Sequence, residues 1–251
     1  MGEEDVLVGR GGSGTIFFCG CNLACVFCQN HDISQQALGQ PMPPEALADL
    51  MLQLQRRGCE NVNFVTPTHV AHAIAEAIVL ARRKGLAVPI VFNCGGYESV
   101  EALGLLEGLV DIYMPDFKYA DAAAALKYSG VNDYPVFAQA GLAEMYRQVG
   151  PLRMSDTGTA ARGVLVRHLV MPHDLARSLA VIDRVARVAP GTTINVMAQY
   201  HPAHRATELG ELMDRPGGEE IRRLRRYATE RGLACLDDQP VHQAGRLATI
   251  R

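Results

Sequence analysis

The chain has 251 residues, with 24 lysines and arginines against 27 aspartates and glutamates, a net charge of −3, and 48% of it is hydrophobic. This composition excludes intrinsic disorder, and the mild acidity argues against a general nucleic-acid or anionic-membrane binder. No run approaches the ~18 apolar residues of a membrane helix, and the acidic start Met1-Gly2-Glu3-Glu4-Asp5 lacks the basic and apolar regions of a signal peptide, so the expected compartment is the cytoplasm.

Residues 1–14 read as a flexible approach to the first strand. Within them Gly9-Arg10-Gly11-Gly12-Ser13-Gly14 fits G-x-G-x-x-G. A strand rather than a helix follows it, and nothing strand-like precedes it, so a pyrophosphate would find no helix N-terminus there. Thr15 to Phe18 is a short strand leading into four clustered cysteines. Pro43 to Arg57 follows as a helix, with Leu47, Leu50, Met51 and Leu54 on one face and Gly58 as its stop. Next come strand Asn61 to Val65, a helix carrying Val70, Ile74 and Ile78, strand Val88 to Phe92 and a helix around Ser99 to Glu107. Strand Val110 to Met114 precedes a long helix, Tyr134 to Val149. Gly150 to Gly163, rich in Gly, Ser and Thr, is a candidate mobile segment. Strand Val164 to Met171, a helix opening at Asp174, strand Thr193 to Met197 and helix Glu219 to Arg231 complete the series, with a short terminal strand at Leu233 to Leu236.

Strands alternating with helices imply βαβ crossovers and a parallel sheet. Six units are too few for a closed eight-stranded barrel. The expected fold is α/β, a partial (β/α)6 TIM-type barrel with its site at the carboxyl ends of the strands, and a doubly wound open sheet is the alternative. The whole of 1–251 reads as one domain, with the barrel over 15–236 and a C-terminal tail over 237–251. The basic run Arg222-Arg223-Leu224-Arg225-Arg226 is flanked by Glu219, Glu220 and Glu230, so it reads as a salt-bridged helix face.

Of seven cysteines, Cys19, Cys21, Cys25 and Cys28 fall within ten residues. Clustered thiols in a reducing compartment point to a metal or to catalysis rather than to disulfides. Cys21, Cys25 and Cys28 form C-x-x-x-C-x-x-C, three soft thiolates on one loop, suited to zinc or to an iron–sulfur cluster. Structural zinc takes two separated ligand pairs, whereas here it would staple one loop to itself. A cluster held by three cysteines leaves one iron open to a small molecule. Cys19 alternates with Cys21 across a strand end and is expected to point the other way. Cys59 and Cys235 read as small buried residues. Arg167 lies inside an apolar strand, where it must face an anion or a carboxylate.

The triad spacing, the aromatic Phe27 before the last cysteine and the placement of the loop straight after the first strand resemble the radical S-adenosylmethionine (SAM) signature. That resemblance implies a [4Fe–4S] cluster on Cys21, Cys25 and Cys28, with SAM chelated to the fourth iron. Electron transfer into the sulfonium then yields a 5′-deoxyadenosyl radical that abstracts hydrogen from substrate. It also implies the radical SAM fold, a partial (β/α)6 barrel, with Phe27 packed near the adenine.

The resemblance covers most of the chain and is nearest to the pyruvate formate-lyase activating enzymes and their relatives. Asn93-Cys94-Gly95-Gly96-Tyr97 resembles their Asn/Gly-rich turn, and Met114-Pro115-Asp116-Phe117-Lys118 their M-x-D-x-K segment. Arg167 matches a basic residue on the fifth strand and His201 a histidine after the sixth. The resemblance thereby implies cofactor contacts from Asn93, Gly95, Asp116, Arg167 and His201, with Lys118 at cofactor or substrate. Where those enzymes carry Gly-Gly-Glu after the second strand, this chain has Thr66-Pro67-Thr68-His69. The side chains of Thr66, Thr68 and His69, or strand-edge carbonyls, are expected to hold the methionyl amino group, since Gly95-Gly96-Tyr97-Glu98 comes one strand too late to substitute.

The implied reaction is hydrogen abstraction from a glycine of a partner glycyl radical enzyme, fed by a flavodoxin- or ferredoxin-type electron donor. Radical chemistry on a small molecule or peptide is the alternative. A zinc or iron–sulfur binding or redox protein without SAM cleavage is the reading from another class. Neither nucleic acid nor membrane is an expected partner.

Overall fold

The computed structural model describes residues 4–36 and 38–236. The tail expected over 237–251, and the first three residues of the N-terminal approach, lie outside the described residues. Among the described residues eight strands form one sheet: β1 (Ser13–Phe17), β2 (Asn61–Val65), β3 (Ile90–Cys94), β4 (Ile112–Pro115), β5 (Arg153–Met154), β6 (Ala160–Leu169), β7 (Thr193–Met197) and β8 (Ala234–Cys235). Their order is β1-β2-β3-β4-β6-β7-β8, all parallel, with β5 hanging antiparallel on β6. Each crossover therefore advances one place along the sheet, which is how a barrel grows, rather than reversing as a doubly wound sheet does. The helices are α1 (Asp5–Val8), α2 (His31–Ser34), α3 (Pro44–Arg56), α4 (Ala71–Arg83), α5 (Val100–Gly104), α6 (Ala122–Ser129), α7 (Tyr134–Val149), α8 (Ser178–Val188) and α9 (Gly218–Glu230). No helix among the described residues is long and apolar enough to cross a membrane.

Alternation along the strands separates two apolar layers. Val62, Phe64, Phe92, Val164, Val166, Ile194 and Val196 face the helices and join Met51, Ile74, Ile78, Leu142 and Ile182 in the main core. Val91, Ile112, Met114 and Leu165 point to the opposite, concave side, where Leu7 of α1 packs among them, fully buried. The N-terminal approach is thus a docked segment. Asn61 Nδ2 donates to the Leu7 carbonyl at 2.7 Å, and the amides of Arg10 and Gly11 both donate to Glu60 Oε1 at 3.1 Å. The glycine run serves close packing: a Cβ on Gly11 would lie 1.8 Å from the Gly58 carbonyl oxygen.

A second difference concerns Gly150 to Gly163. The composition suits a loop, but the chain forms a hairpin in which Arg153 pairs with Arg162 and Met154 with Ala160. Ser155 Oγ closes its tip through Thr157 Oγ1 at 2.8 Å and Thr159 Oγ1 at 3.0 Å. As a result β6 begins at Ala160, earlier than the apolar run alone suggests.

Candidate active site

The cysteine loop leaves β1 and is built against the C-terminus of α6. The amides of Ala24 and Val26 donate to the carbonyls of Ser129 (3.1 Å) and Tyr128 (2.9 Å). Asp121 caps the start of α6 by accepting from the Ala124 amide, and Gly130, at φ 80°, ends it. Leu23, Val26 and Phe27 anchor the loop in the core, Cys25 is buried, and Cys21 and Cys28 are half-buried. The Cys25 sulfur lies 2.9 Å from Ser129 Oγ and that of Cys28 3.2 Å from Ser34 Oγ, while the Leu23 amide donates to Cys21 Sγ at 3.4 Å.

The triad is electrostatically one group: Cys25 is acted on by Cys21 and Cys28, and Cys21 by Cys28. The Cys19 thiol lies over Gly39. Burial raises the Cys21 thiol and pushes that of Cys25 up to about 11, against the pull of Lys118. Metal binding here must therefore displace protons. A single zinc ion with Zn–S of about 2.3 Å would need its thiolates about 3.8 Å apart. Among the described residues no three His, Cys, Asp or Glu side chains are grouped so as to hold a single metal ion. Three soft sulfur donors on one loop, with the Lys118 charge favouring the thiolates of Cys21 and Cys25, fit a cluster.

Facing the loop is a polar layer at the strand ends. Asp116, just past β4, is its hub. Arg167 binds it through Nε (2.9 Å) and Nη2 (2.8 Å), and Lys118 Nζ pairs with its other oxygen. Arg167 also donates to Asn93 Oδ1 at 2.7 Å and lies 4.0 Å from Glu4 Oε1, to which Asn195 donates at 3.3 Å. Burial acts to raise the Asp116 carboxyl, but the Arg167 and Lys118 charges override it and hold it below the usual carboxylate range. Burial likewise acts to lower the Lys118 ammonium, and Asp116 more than compensates. These side chains keep some access, at 16% for Asp116, 18% for Lys118 and 20% for Arg167. Two cations so placed can take a carboxylate from above.

Tyr134 clamps the two turns that carry this layer. Its hydroxyl accepts from the Lys118 amide (2.8 Å) and donates toward the carbonyls of Gly95 (3.0 Å) and Asp116 (2.9 Å). Gly95 lies against the cysteine loop, where an added Cβ would come 3.2 Å from Leu23 Cδ1. Asn22 Nδ2 joins loop and turn by donating to the Tyr97 carbonyl at 2.6 Å.

At the end of β2, Thr66 has φ 60°, a strained backbone for a β-branched residue and an easy one for glycine. Thr68 Oγ1 donates to Glu98 Oε1 at 2.8 Å. The Gly95-Gly96-Tyr97-Glu98 run, one strand too late to substitute for Gly-Gly-Glu, thus meets the end of β2 through Glu98. β2 and β3 are parallel neighbours with Val65 opposite Asn93, so the turn after β3 reaches the end of β2. Glu98 is 1% exposed, with its carboxyl pushed up to about 7 by burial, and Cys94 also bonds to it. It braces Thr68 from beneath rather than facing the mouth.

His201 stands exposed at the rim, with Nδ1 3.1 Å from Nε2 of Gln29, the residue after Cys28. Phe27 is 7% exposed and edge-on to Tyr200 at 6.1 Å, which leaves little ring surface for a ligand. His168 is fully buried between the Phe117 carbonyl and the Ser178 hydroxyl. Glu4, Ser129 and Tyr134 bear on the site without having been legible as site residues. Asp121 and Gly130, which delimit α6, were the available signal for Ser129.

The Radical SAM superfamily model matches residues 15–201, from β1 through the cysteine loop to His201. The chain belongs to the radical SAM superfamily. Its fold is accordingly the partial TIM-type barrel of that superfamily, and its cofactors are a [4Fe–4S] cluster and SAM. The "Uncharacterized protein MJ0674" of Methanocaldococcus jannaschii is 32% identical over 246 residues, covering 95% of this chain and 67% of that protein. Among solved structures, Streptococcus suis SuiB bound to SAM superposes with a TM-score of 0.59 at 11% identity, over 88% of this chain and 49% of that one. The FeFe-hydrogenase maturase HydG of Carboxydothermus hydrogenoformans gives 0.56 at 11% identity, over 89% of this chain and 57% of that one. Methylornithine synthase (PylB) gives 0.51 at 13% identity, over 92% and 77%. This radical SAM chain spans about half the length of the SuiB chain it matches, and these structural likenesses show the fold.

Proposed function

We propose that this radical SAM enzyme cleaves SAM reductively and removes a hydrogen atom from a glycine in a segment presented by a partner glycyl radical enzyme. When bound, the cluster supplies the electron and SAM the hydrogen-abstracting group. The observation that carries the choice of substrate is the filled concave side. Leu7 packs among Val91, Ile112, Met114 and Leu165, and above it lies the layer of Glu4, Arg167 and Asp116. A substrate then has to be taken at the mouth, at the carboxyl ends of the strands, which suits an extended segment delivered from outside.

In this reading Cys21, Cys25 and Cys28 ligate the cluster. Lys118 and Arg167 hold the cofactor carboxylate, Asp116 spaces them, and Asn93 fixes the guanidinium of Arg167. The amino group of the cofactor is met by the strained β2 end at Thr66, with Thr68 braced by Glu98. Gly95 lets the β3 turn approach the loop, and His201 and the remaining edge of Phe27 border the rim. A flavodoxin- or ferredoxin-type protein would serve as electron donor, and a cluster held by only three cysteines would make the loaded enzyme sensitive to air.

The test is anaerobic reconstitution, reduction with dithionite and chromatography for 5′-deoxyadenosine. A cluster-loaded, reduced sample that yields none sinks the reading. Addition of a partner glycyl radical enzyme should then give a glycyl radical by electron paramagnetic resonance. Turnover of a free peptide or small molecule, with no such radical on any partner, would favour the alternative substrate class.

A further inference from the structure

The C-terminus of α6 does more than support the cysteine loop. Cys25 Sγ, Ser129 Oγ and the Tyr119 hydroxyl form a chain, with contacts of 2.9 Å and 2.8 Å. Ser129 and Tyr119 are fully buried and Cys25 nearly so, so water does not compete for these bonds. The chain can run in only one direction once iron is bound. An iron-bound sulfur is a thiolate and can only accept, and a serine hydroxyl has one hydrogen to give. Ser129 must spend that hydrogen on Cys25, and its oxygen is then left to accept from Tyr119. Tyr119 is itself held by edge-on packing against Tyr134 at 5.5 Å. By contrast Cys28 meets Ser34 at 3.2 Å in a less buried place, and Cys21 meets a backbone amide at 3.4 Å.

We infer that Ser129 donates a hydrogen bond to the Cys25 sulfur of the cluster, that Tyr119 fixes its direction, and that the pair raises the reduction potential of the cluster. The inference rests on Cys25 being a cluster ligand. Reduction adds one electron and no proton, and the added negative charge is shared by the ligand sulfurs. A donor aimed at one of them is therefore worth more after reduction than before. Tyr119 strengthens that donor by polarising it, as successive bonds in a buried chain do. Ser129 and Tyr119 are thus positioning residues for the electron-transfer step.

The experiment is a redox titration of the anaerobically reconstituted full chain, followed by the resonance signal of the reduced cluster and normalised to iron content. Ser129→Ala should lower the reduced-to-oxidised ratio at a fixed applied potential about tenfold, equivalent to about 59 mV for a one-electron couple. Tyr119→Phe should lower it in the same direction by a smaller factor, about threefold. Ser129→Thr, which keeps a hydroxyl, should restore most of the wild-type value. A merely structural role would reduce iron loading and leave the potential of the loaded fraction unchanged, and that result overturns the inference. Where Ser129→Ala takes up no cluster, Tyr119→Phe decides, because it leaves Ser129 in place, and an unchanged potential there also overturns it. A wild-type chain that binds no cluster overturns the ligand assignment as well, which separates that failure from failure of the relay alone.

Discussion

At the carboxyl ends of the strands, Asp116, Lys118 and Arg167 are charged, partly exposed and brought together from segments far apart in the chain. On the concave face beneath them Val91, Ile112, Met114 and Leu165 are apolar, fully buried and completed by one residue of a four-residue helix, Leu7. The mouth is assembled from the strand ends and the turns beyond them, so its chemistry can change without moving the sheet. The face below is packing, and a change there reaches the whole barrel. Glu4 is where the two regions meet, since it begins the segment that carries Leu7 and ends near Arg167.

Substitution at each region should separate chemistry from stability. Cys21→Ala, Cys25→Ala or Cys28→Ala should each abolish iron uptake, measured by iron content and visible absorbance, with the melting curve little changed. Cys19→Ala should keep its iron; loss there would move the triad. Asp116→Asn comes next. It leaves the Lys118 and Arg167 cations without their shared carboxylate, and removing one partner of such a group costs about 3 kcal/mol or more. SAM binding by calorimetry should weaken along with the urea midpoint, and unchanged binding would remove this layer from the cofactor site. Leu7→Ala should cost about 3 kcal/mol through the cavity it leaves, with iron uptake intact. An unaltered melt would show that α1 is no part of the barrel floor.

Legibility in the amino-acid sequence divides along the same line. Helix Tyr134–Val149 and strands Asn61–Val65 and Thr193–Met197 are legible with the bounds they have, because hydrophobic period is a local property. The strand expected from Val88 begins at Ile90 instead, where it pairs with Val62, since its bounds are set by neighbours rather than by its own apolar run. Four residues of α1 are too few for a period, and their burial depends on a barrel that does not yet exist in the sequence. In α6, Ala122 to Ala125 carries no amphipathic signal, so only its ends mark it. The spacing of Cys21, Cys25 and Cys28 is legible because it is local. Ser129, Glu98 and Glu4 are not, because each acts on a residue brought near by topology.

The smallest expected effect compares two buried titratable side chains, one bracing each half of the mouth. Burial lowers His168 from 6.5 to about 4, and since the Phe117 carbonyl can only accept, its Nδ1 carries the proton while Nε2 accepts from Ser178. Its stabilising contribution is therefore complete above pH 6.5 and is lost as the pH falls toward 4, because only the unfolded chain binds the proton easily. Burial raises Glu98 from 4.5 to about 7, and the sign reverses: its contribution is complete below pH 4.5 and is lost as the pH rises through 7. Between pH 7 and pH 5 each changes stability by about 2 kcal/mol in opposite directions, so the two nearly cancel. Urea melts at pH 7, 6 and 5 should thus be almost level for the wild type. Glu98→Gln should lose stability toward pH 5 and His168→Gln should gain it. Two variants as level as the wild type would mean that neither group changes its proton affinity on folding.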